Sequence, residues 1–413
     1  MRIAILVTDL TPPRLGGISR VATSLAEHLV ELGHEVDVLC LERSAIAHRD
    51  KGYHVVPVRP KWTLYEDYPV VAFSMAAFGL LLSRHKERPY DVSHAMNFNN
   101  FGLTFWRKAM RAVGLAHVST GFETTEMELS AKWREFRSRP SLHNFAQIVM
   151  EGFLAPWQRS YIGWADAMTT EDVETLENFK KKGLDTSRFH LIPSGIDLEE
   201  TLALMGRYHV ASQALPCGER ASWPKGKRVL LCPGRVDPRK GSQYLLRAFA
   251  ELKPLHSEWS LAFAGGGRGS YLDMMLSLVD ELGLGPEQVT FLGRVDDLLA
   301  CILSCDAVAI PSLSEGIPIT LQEALVCGKP VWCSKLEGTY HWAKGLSSIR
   351  WCEPAAVGDW VEQLSELADY RKEDNTVAIE QGQKWMEEYD WLEVAKRYVE
   401  VYEKACDHLV VST

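Results

Sequence analysis

The stretch from Pro311 to Pro330 constrains this chain more than any other. It reads Pro-Ser-Leu-Ser-Glu-Gly-Ile-Pro-Ile-Thr-Leu-Gln-Glu-Ala-Leu-Val-Cys-Gly-Lys-Pro. Ahead of it, Asp306 to Ile310 is a short apolar run of the kind that forms a buried strand in a parallel sheet. Behind Gly316, Pro318 fits the first position of a helix with its body from Ile319 to Val326, and Gly328 ends it. A strand feeds a small loop, and the loop feeds a helix N-terminus. Unpaired N–H groups and a partial positive charge at that end suit a phosphate or a sugar hydroxyl. Two carboxylates bracket the turn, Glu315 in the loop and Glu323 in the helix, with seven residues between them. The spacing alone says little. On a strand, a Glu-Gly loop, a Pro-started helix and a Gly stop, it specifies a site.

The rest of the chain alternates in the same way. Residues 2–7 read as a buried strand, and a loop ending in Gly16-Gly17 leads to a helix with Ile18, Val21, Ala22, Leu25, Ala26, Leu29 and Leu32 at helical spacing. Strands are expected at 35–41, 54–58, 91–94, 116–120, 165–169 and 188–192, with helices at 70–84 and 105–113. A second alternation starts at Arg228. Its strands are expected at 228–233, 260–264, 288–292, 306–310 and 329–333, its helices include 243–252 and 271–282, and an amphipathic helix closes it at 391–405. Residues 200–227 lack a clear period and carry Pro216, Gly218, Pro224 and Gly226, which marks the joining segment. At 413 residues the chain suits two domains, and two α/β halves imply a cleft between them, the ordinary place for a ligand.

Composition narrows the partners. A net charge of −9 argues against nucleic acid as a bulk electrostatic partner. Nine scattered cysteines form no Cys-x-x-Cys, and Cys301 and Cys305 read as helix packing, so a reducing, cytoplasmic setting is expected. No signal peptide is expected, because turn residues fill Leu10 to Gly16 where a leader would stay apolar. The longest apolar run, Val70 to Leu82, has 13 residues and is too short to span a bilayer. Within 131–139, Lys132, Arg134, Arg137 and Arg139 interleave with Trp133 and Phe136. That run reads either as a solvated helix with two core anchors or as a peripheral contact with an anionic membrane.

Gly234-Arg-Val-Asp-Pro-Arg-Lys-Gly241 follows the first strand of the second half. Arg235 and Lys240 stand there at the carboxyl end of a strand, where open α/β sheets bind ligands, and two cations match a diphosphate. No Asp-x-Asp occurs to bridge a metal to a sugar nucleotide, and no Gly-x4-Gly-Lys-Ser/Thr, Gly-x-Ser-x-Gly or His-Glu-x-x-His appears. A departing diphosphate would therefore be stabilised by Arg235, Lys240 and helix amides, without metal.

Taken together, Gly16-Gly17, Pro193-Ser-Gly-Ile-Asp197, Gly234-Arg235…Lys240-Gly241, Glu315-Gly-Ile-Pro…Glu323-Ala and Tyr389-Asp-Trp391…Tyr402 resemble retaining glycosyltransferase family 4, the glycosyl transferases group 1. The resemblance implies an α/β GT-B fold, two Rossmann-like doubly wound domains facing a central cleft. It implies an acceptor-side domain at 1–198, a joining segment at 199–227, a nucleotide-sugar-binding domain at 228–385, and a C-terminal helix at 386–413 returning toward the first. Glu323 would bind ribose, and Arg235 and Lys240 would grip the diphosphate. Glu315 and the backbone of Gly316, Ile317, Pro318 and Ile319 would orient the sugar, while Gly16 and Gly17 close on the distal phosphate. A hexosyltransferase is implied, with a nucleotide-diphosphate sugar as donor, a glycan, lipid-linked or small-molecule acceptor, and neither cofactor nor metal. Where members carry a histidine after the strand ending at Thr120, this chain has Phe122, which leaves Glu123 or His94 to supply a polar contact. That departure keeps open a non-catalytic sugar-nucleotide-binding subunit; a GT-B epimerase would lack this Glu-x7-Glu block.

Overall fold

The computed structural model describes residues 1–10, 17–42, 52–61, 70–121, 162–210, 222–267, 269–295, 297–369 and 376–412, with isolated positions between 122 and 161. The chain divides into two units, Met1–Gly195 with Trp391–Thr413, and Ile196–Asp390.

The first unit is built on a parallel sheet of β1 (Arg2–Leu6), β2 (Glu35–Leu41), β3 (His54–Val58), β4 (Val92–Met96), β5 (Ala116–Thr120), β6 (Ala167–Thr170) and β7 (Phe189–Leu191). Their order is β3-β2-β1-β4-β5-β6-β7, and Ile3 lies level with Val36 on one side and Val92 on the other. Described helices are α1 (Gly17–Glu31), α2 (Val70–Glu87), α3 (Leu103–Ala112) and α4 (Val173–Lys181). Strand alternation sorts the core into two faces. Ile3, Ile5 and Val7 pack with Val21, Leu25 and Leu29 of α1, whereas Ala4 and Leu6 pack with Phe73, Ala77 and Leu81 of α2.

The second unit repeats the plan with β8 (Arg228–Pro233), β9 (Trp259–Ala264), β10 (Val289–Gly293), β11 (Ala307–Ile310), β12 (Val331–Ser334) and β13 (Ile349–Cys352). All neighbours are parallel, in the order β10-β9-β8-β11-β12-β13. Its helices are α5 (Leu198–Val210), α6 (Ser242–Glu251), α7 (Ser270–Glu281), α8 (Leu298–Ser304), α9 (Ile319–Val326), α10 (Glu337–Ala343), α11 (Val357–Ser365) and α12 (Thr376–Glu387). Val229 and Leu231 face Leu321 and Leu325 of α9, and Leu230 and Cys232 face Leu245 and Phe249 of α6. Both sheets are thus doubly wound, as expected of two Rossmann-like domains. Each reverses direction beside its first strand, between β1 and β4 and between β8 and β11.

β13 and α4 were not among the expected elements, and neither was α5. Residues 200–227 read as aperiodic, yet α5 runs through the first part, with Leu198, Leu204 and Met205 packed on the core of the second unit. Its apolar stripe is broken because Leu202 points outward, 49% exposed. After Asp390 the chain leaves the second unit as α13 (Trp391–Ser412), which belongs to the first. Just before that point, Ile196 N–H donates to Tyr389 O at 2.9 Å and Leu198 N–H to Asp390 Oδ2 at 3.1 Å. No helix among the described residues is long and apolar enough to cross a membrane.

Candidate functional site

In an open α/β sheet the strands part at the reversal point, and the loops beyond their carboxyl ends frame a crevice. In the second unit those loops follow β8 and β11. After Pro233 the chain turns at Gly234 (φ 111°) and Gly241 (φ 64°). Between them Asp237 caps the short turn Pro238–Lys240, its Oδ1 accepting from the N–H of Arg239 at 3.0 Å and of Lys240 at 3.2 Å. The loop after β11 lies against this turn, with Leu313 N–H donating to Arg239 O at 2.8 Å. A Cβ at Gly241 would stand 2.0 Å from Pro311 O, so only glycine allows the approach. The loop after β9 is as close, because a Cβ at Gly265 would come 2.0 Å from Gly234 O.

Two charges meet across the strands. Lys240 Nζ, 20% exposed, pairs with Oε1 of Glu315, 13% exposed, and Ser312 Oγ donates to the same oxygen at 3.1 Å. Burial alone would raise the Glu315 pKa; the Lys240 ammonium beside it, with help from Arg239 and Ser312, outweighs burial and holds the carboxyl below its ordinary value. Arg235 does not join the pair. It stands 70% exposed at the rim, its Nη2 3.3 Å from Asp237 Oδ2.

Beyond Glu315 the backbone is prepared for a polar guest. Among the described residues no backbone carbonyl accepts from the N–H of Gly316, Ile317 or Ile319. Pro318 has no N–H to offer and stands one residue outside the helix, extended at φ −64° and ψ 122°, where its carbonyl accepts from Leu321 N–H at 2.9 Å. Glu323, in α9, is buried. Gly328, at φ 64°, ends α9 as expected. Thr339 of α10 donates its hydroxyl to Gly316 O at 2.7 Å. Sequence reasoning missed Ser312 and Thr339. Asp237 was missed as well, although Asp-Pro at 237–238 is a cap signal, whereas Thr339 lies in α10, 23 residues from Gly316, with no local mark.

The first unit answers differently. Gly17 opens α1 and is exposed. Gly16, Phe122, Glu123 and most of 131–139 lie outside the described residues; Trp133 is described, and exposed. His94 requires a correction. Its ring has no exposed surface, with Nδ1 2.8 Å from Tyr402 Oη and Nε2 2.6 Å from Thr120 Oγ1. Burial lowers its pKa to about 3, so it is neutral, with one hydroxyl donating to it and the other accepting. It is a core residue and offers nothing to a substrate. A cavity of about 530 Å³ opens elsewhere, near Arg2, Glu35, Asp37, Arg84 and Arg88. Its guanidinium groups are already paired with those two carboxylates.

Comparisons with known proteins agree with this division. The family model described as "Glycosyltransferase Family 4" matches residues 15–200, and that described as "Glycosyl transferases group 1" matches 219–385. D-inositol 3-phosphate glycosyltransferase of Mycolicibacterium smegmatis is 30% identical over 206 residues, 48% of this chain and 44% of the relative. The match thus spans less than half the length of that relative. An uncharacterised glycosyltransferase of Methanocaldococcus jannaschii is 24% identical over 98% of this chain and 99% of its own. Among solved structures, sucrose-phosphate synthase of Thermosynechococcus elongatus superposes with a TM-score of 0.75 at 16% identity, covering 97% of this chain and 98% of that one. HepE of Anabaena in complex with UDP superposes with a TM-score of 0.69 at 17% identity, covering 97% and 99%.

Proposed function

The chain belongs to the family 4 glycosyltransferases of the GT-B fold, and on that footing we propose that it moves a sugar from a nucleotide-diphosphate sugar to an acceptor hydroxyl, with retained configuration and without a metal. One observation carries the reading: Lys240 and Glu315, distant in sequence, pair across the reversal point of the second sheet, beside open amides. Lys240 and the exposed Arg235 supply two cations for a diphosphate, and Glu323 accepts from ribose hydroxyls. Glu315, kept ionised, accepts from sugar hydroxyls, while the N–H groups of Gly316, Ile317 and Ile319 donate.

In the transfer, the bond from the anomeric carbon to the leaving phosphate oxygen breaks as the acceptor oxygen bonds to that carbon on the same face. The acceptor proton passes to the leaving phosphate oxygen. The charge developing on the diphosphate meets fixed cations and dipoles, which is where electrostatic catalysis gains most. The solved HepE complexes hold UDP, and in one case UDP-glucose, which supports a uridine sugar as the first donor to try.

The test is a thermal-shift panel of UDP, GDP, ADP and TDP in excess EDTA, on wild type and Glu323→Ala. A ligand held only by the folded chain at about a hundred times its dissociation constant adds roughly 2.7 kcal/mol. One nucleotide is expected to shift the wild type, less so Glu323→Ala, with EDTA making no difference. No shift from any of them would overturn the donor reading. A shift that requires magnesium or manganese would overturn its metal-free part.

A further inference from the structure

The loop carrying Glu315 and the open amides is held from two sides. On one side are Arg239 O, which takes the N–H of Leu313 at 2.8 Å, and the Lys240 ammonium on Glu315. On the other is Thr339, fully buried in α10, whose hydroxyl donates to Gly316 O at 2.7 Å. A trans peptide is planar, and its carbonyl and the following N–H point in opposite directions. By fixing the Gly316 carbonyl, Thr339 therefore fixes the direction of the Ile317 N–H and turns it away from itself. Glycine has the widest backbone freedom of any residue, so a peptide beginning at Gly316 needs such a tie more than most.

We propose that Thr339 is a positioning residue for the sugar half of the donor, acting through the Gly316–Ile317 peptide on how the N–H of Ile317 meets the sugar. The inference rests on the donor-site reading above and assigns that amide to the sugar rather than to the nucleotide. It separates two affinities. Nucleoside diphosphate binding depends on Arg235, Lys240 and Glu323, whereas Thr339 bonds to the Gly316 carbonyl. Preference for the sugar-bearing donor over the bare diphosphate depends on the loop.

The experiment measures, by calorimetry on the full chain, the dissociation constants of UDP and UDP-glucose, with the adenosine and guanosine pairs alongside. Wild type is compared with Thr339→Val, which keeps the shape and removes the hydroxyl, and with Thr339→Ser, which restores the hydroxyl. Thr339→Ala replaces the valine variant if that one does not fold. Thr339→Val is expected to leave diphosphate affinity unchanged and to cut the preference for the sugar conjugate by about tenfold, the factor one hydrogen bond carries. Thr339→Ser is expected to recover it. An unaltered preference in Thr339→Val, an equal loss for both ligands, or no recovery in Thr339→Ser would each overturn the assignment. Failure of wild type to bind any of the pairs would instead overturn the donor reading, and this inference with it.

Discussion

Lys240 and Glu315 show how a site can be stored ready in an unliganded fold. Each would be costly to keep nearly buried alone, and each offsets the other's desolvation. Because the Glu315 pKa is depressed, the pair's contribution to stability is complete above the ordinary carboxylate range and is lost as pH falls through the lower folded value. The pairing also means that Lys240 is partly neutralised until a diphosphate arrives. Glu315→Gln is therefore expected to tighten nucleoside diphosphate binding by about fivefold, equivalent to roughly 1 kcal/mol for a partly exposed pair, while transfer falls. Titration calorimetry beside a donor-consumption assay checks this, and weaker diphosphate binding in the variant would sink it. The places of Arg235, Lys240, Glu315 and Glu323 in the fold were legible, because each lies in a short motif at the end of a strand or in the helix that follows. Thr339 was not, because its contact exists only once β11 and β12 stand side by side.

Among the elements, α13 is the one whose contacts were least legible. Its periodicity was plain from the sequence, but not that Tyr402 would meet His94, 308 positions earlier. Val394, Tyr398, Val401, Tyr402 and Ala405 bury one stripe of the helix in the core of the first unit. Tyr402→Phe strips a buried imidazole of a partner and is expected to cost about 1–3 kcal/mol. Denaturant unfolding of the full chain measures it, and an unchanged midpoint would show the bond to be dispensable. The first unit also carries a pH signature, one histidine on each face of its sheet. Burial lowers His94 and His117 each to about 3 from an ordinary 6.5. The unfolded chain takes up their protons below 6.5 and the folded chain does not until about 3, so stability should decline over that interval as pH falls. A midpoint that stays level between pH 7 and pH 5 would contradict it.

At the scale of the whole molecule, the chain leaves the first unit after Gly195, completes the second, and returns at Trp391. The entry and exit of the second unit are hydrogen-bonded to each other, Ile196 beside Asp390. The second unit is thus an insertion, continuous in sequence, into a unit that is not. Synthesis on a ribosome turns this topology into a timetable. Once Asp390 has emerged, the second unit has every residue it needs, while the first still waits for the helix that covers Ile3, Val92 and Val118. Nascent chains stalled just after Asp390 clears the exit tunnel should show a protease-resistant second unit and a cleavable first. The reverse pattern would mean that the first unit closes without its last helix. The half of the chain made first is the half that finishes last.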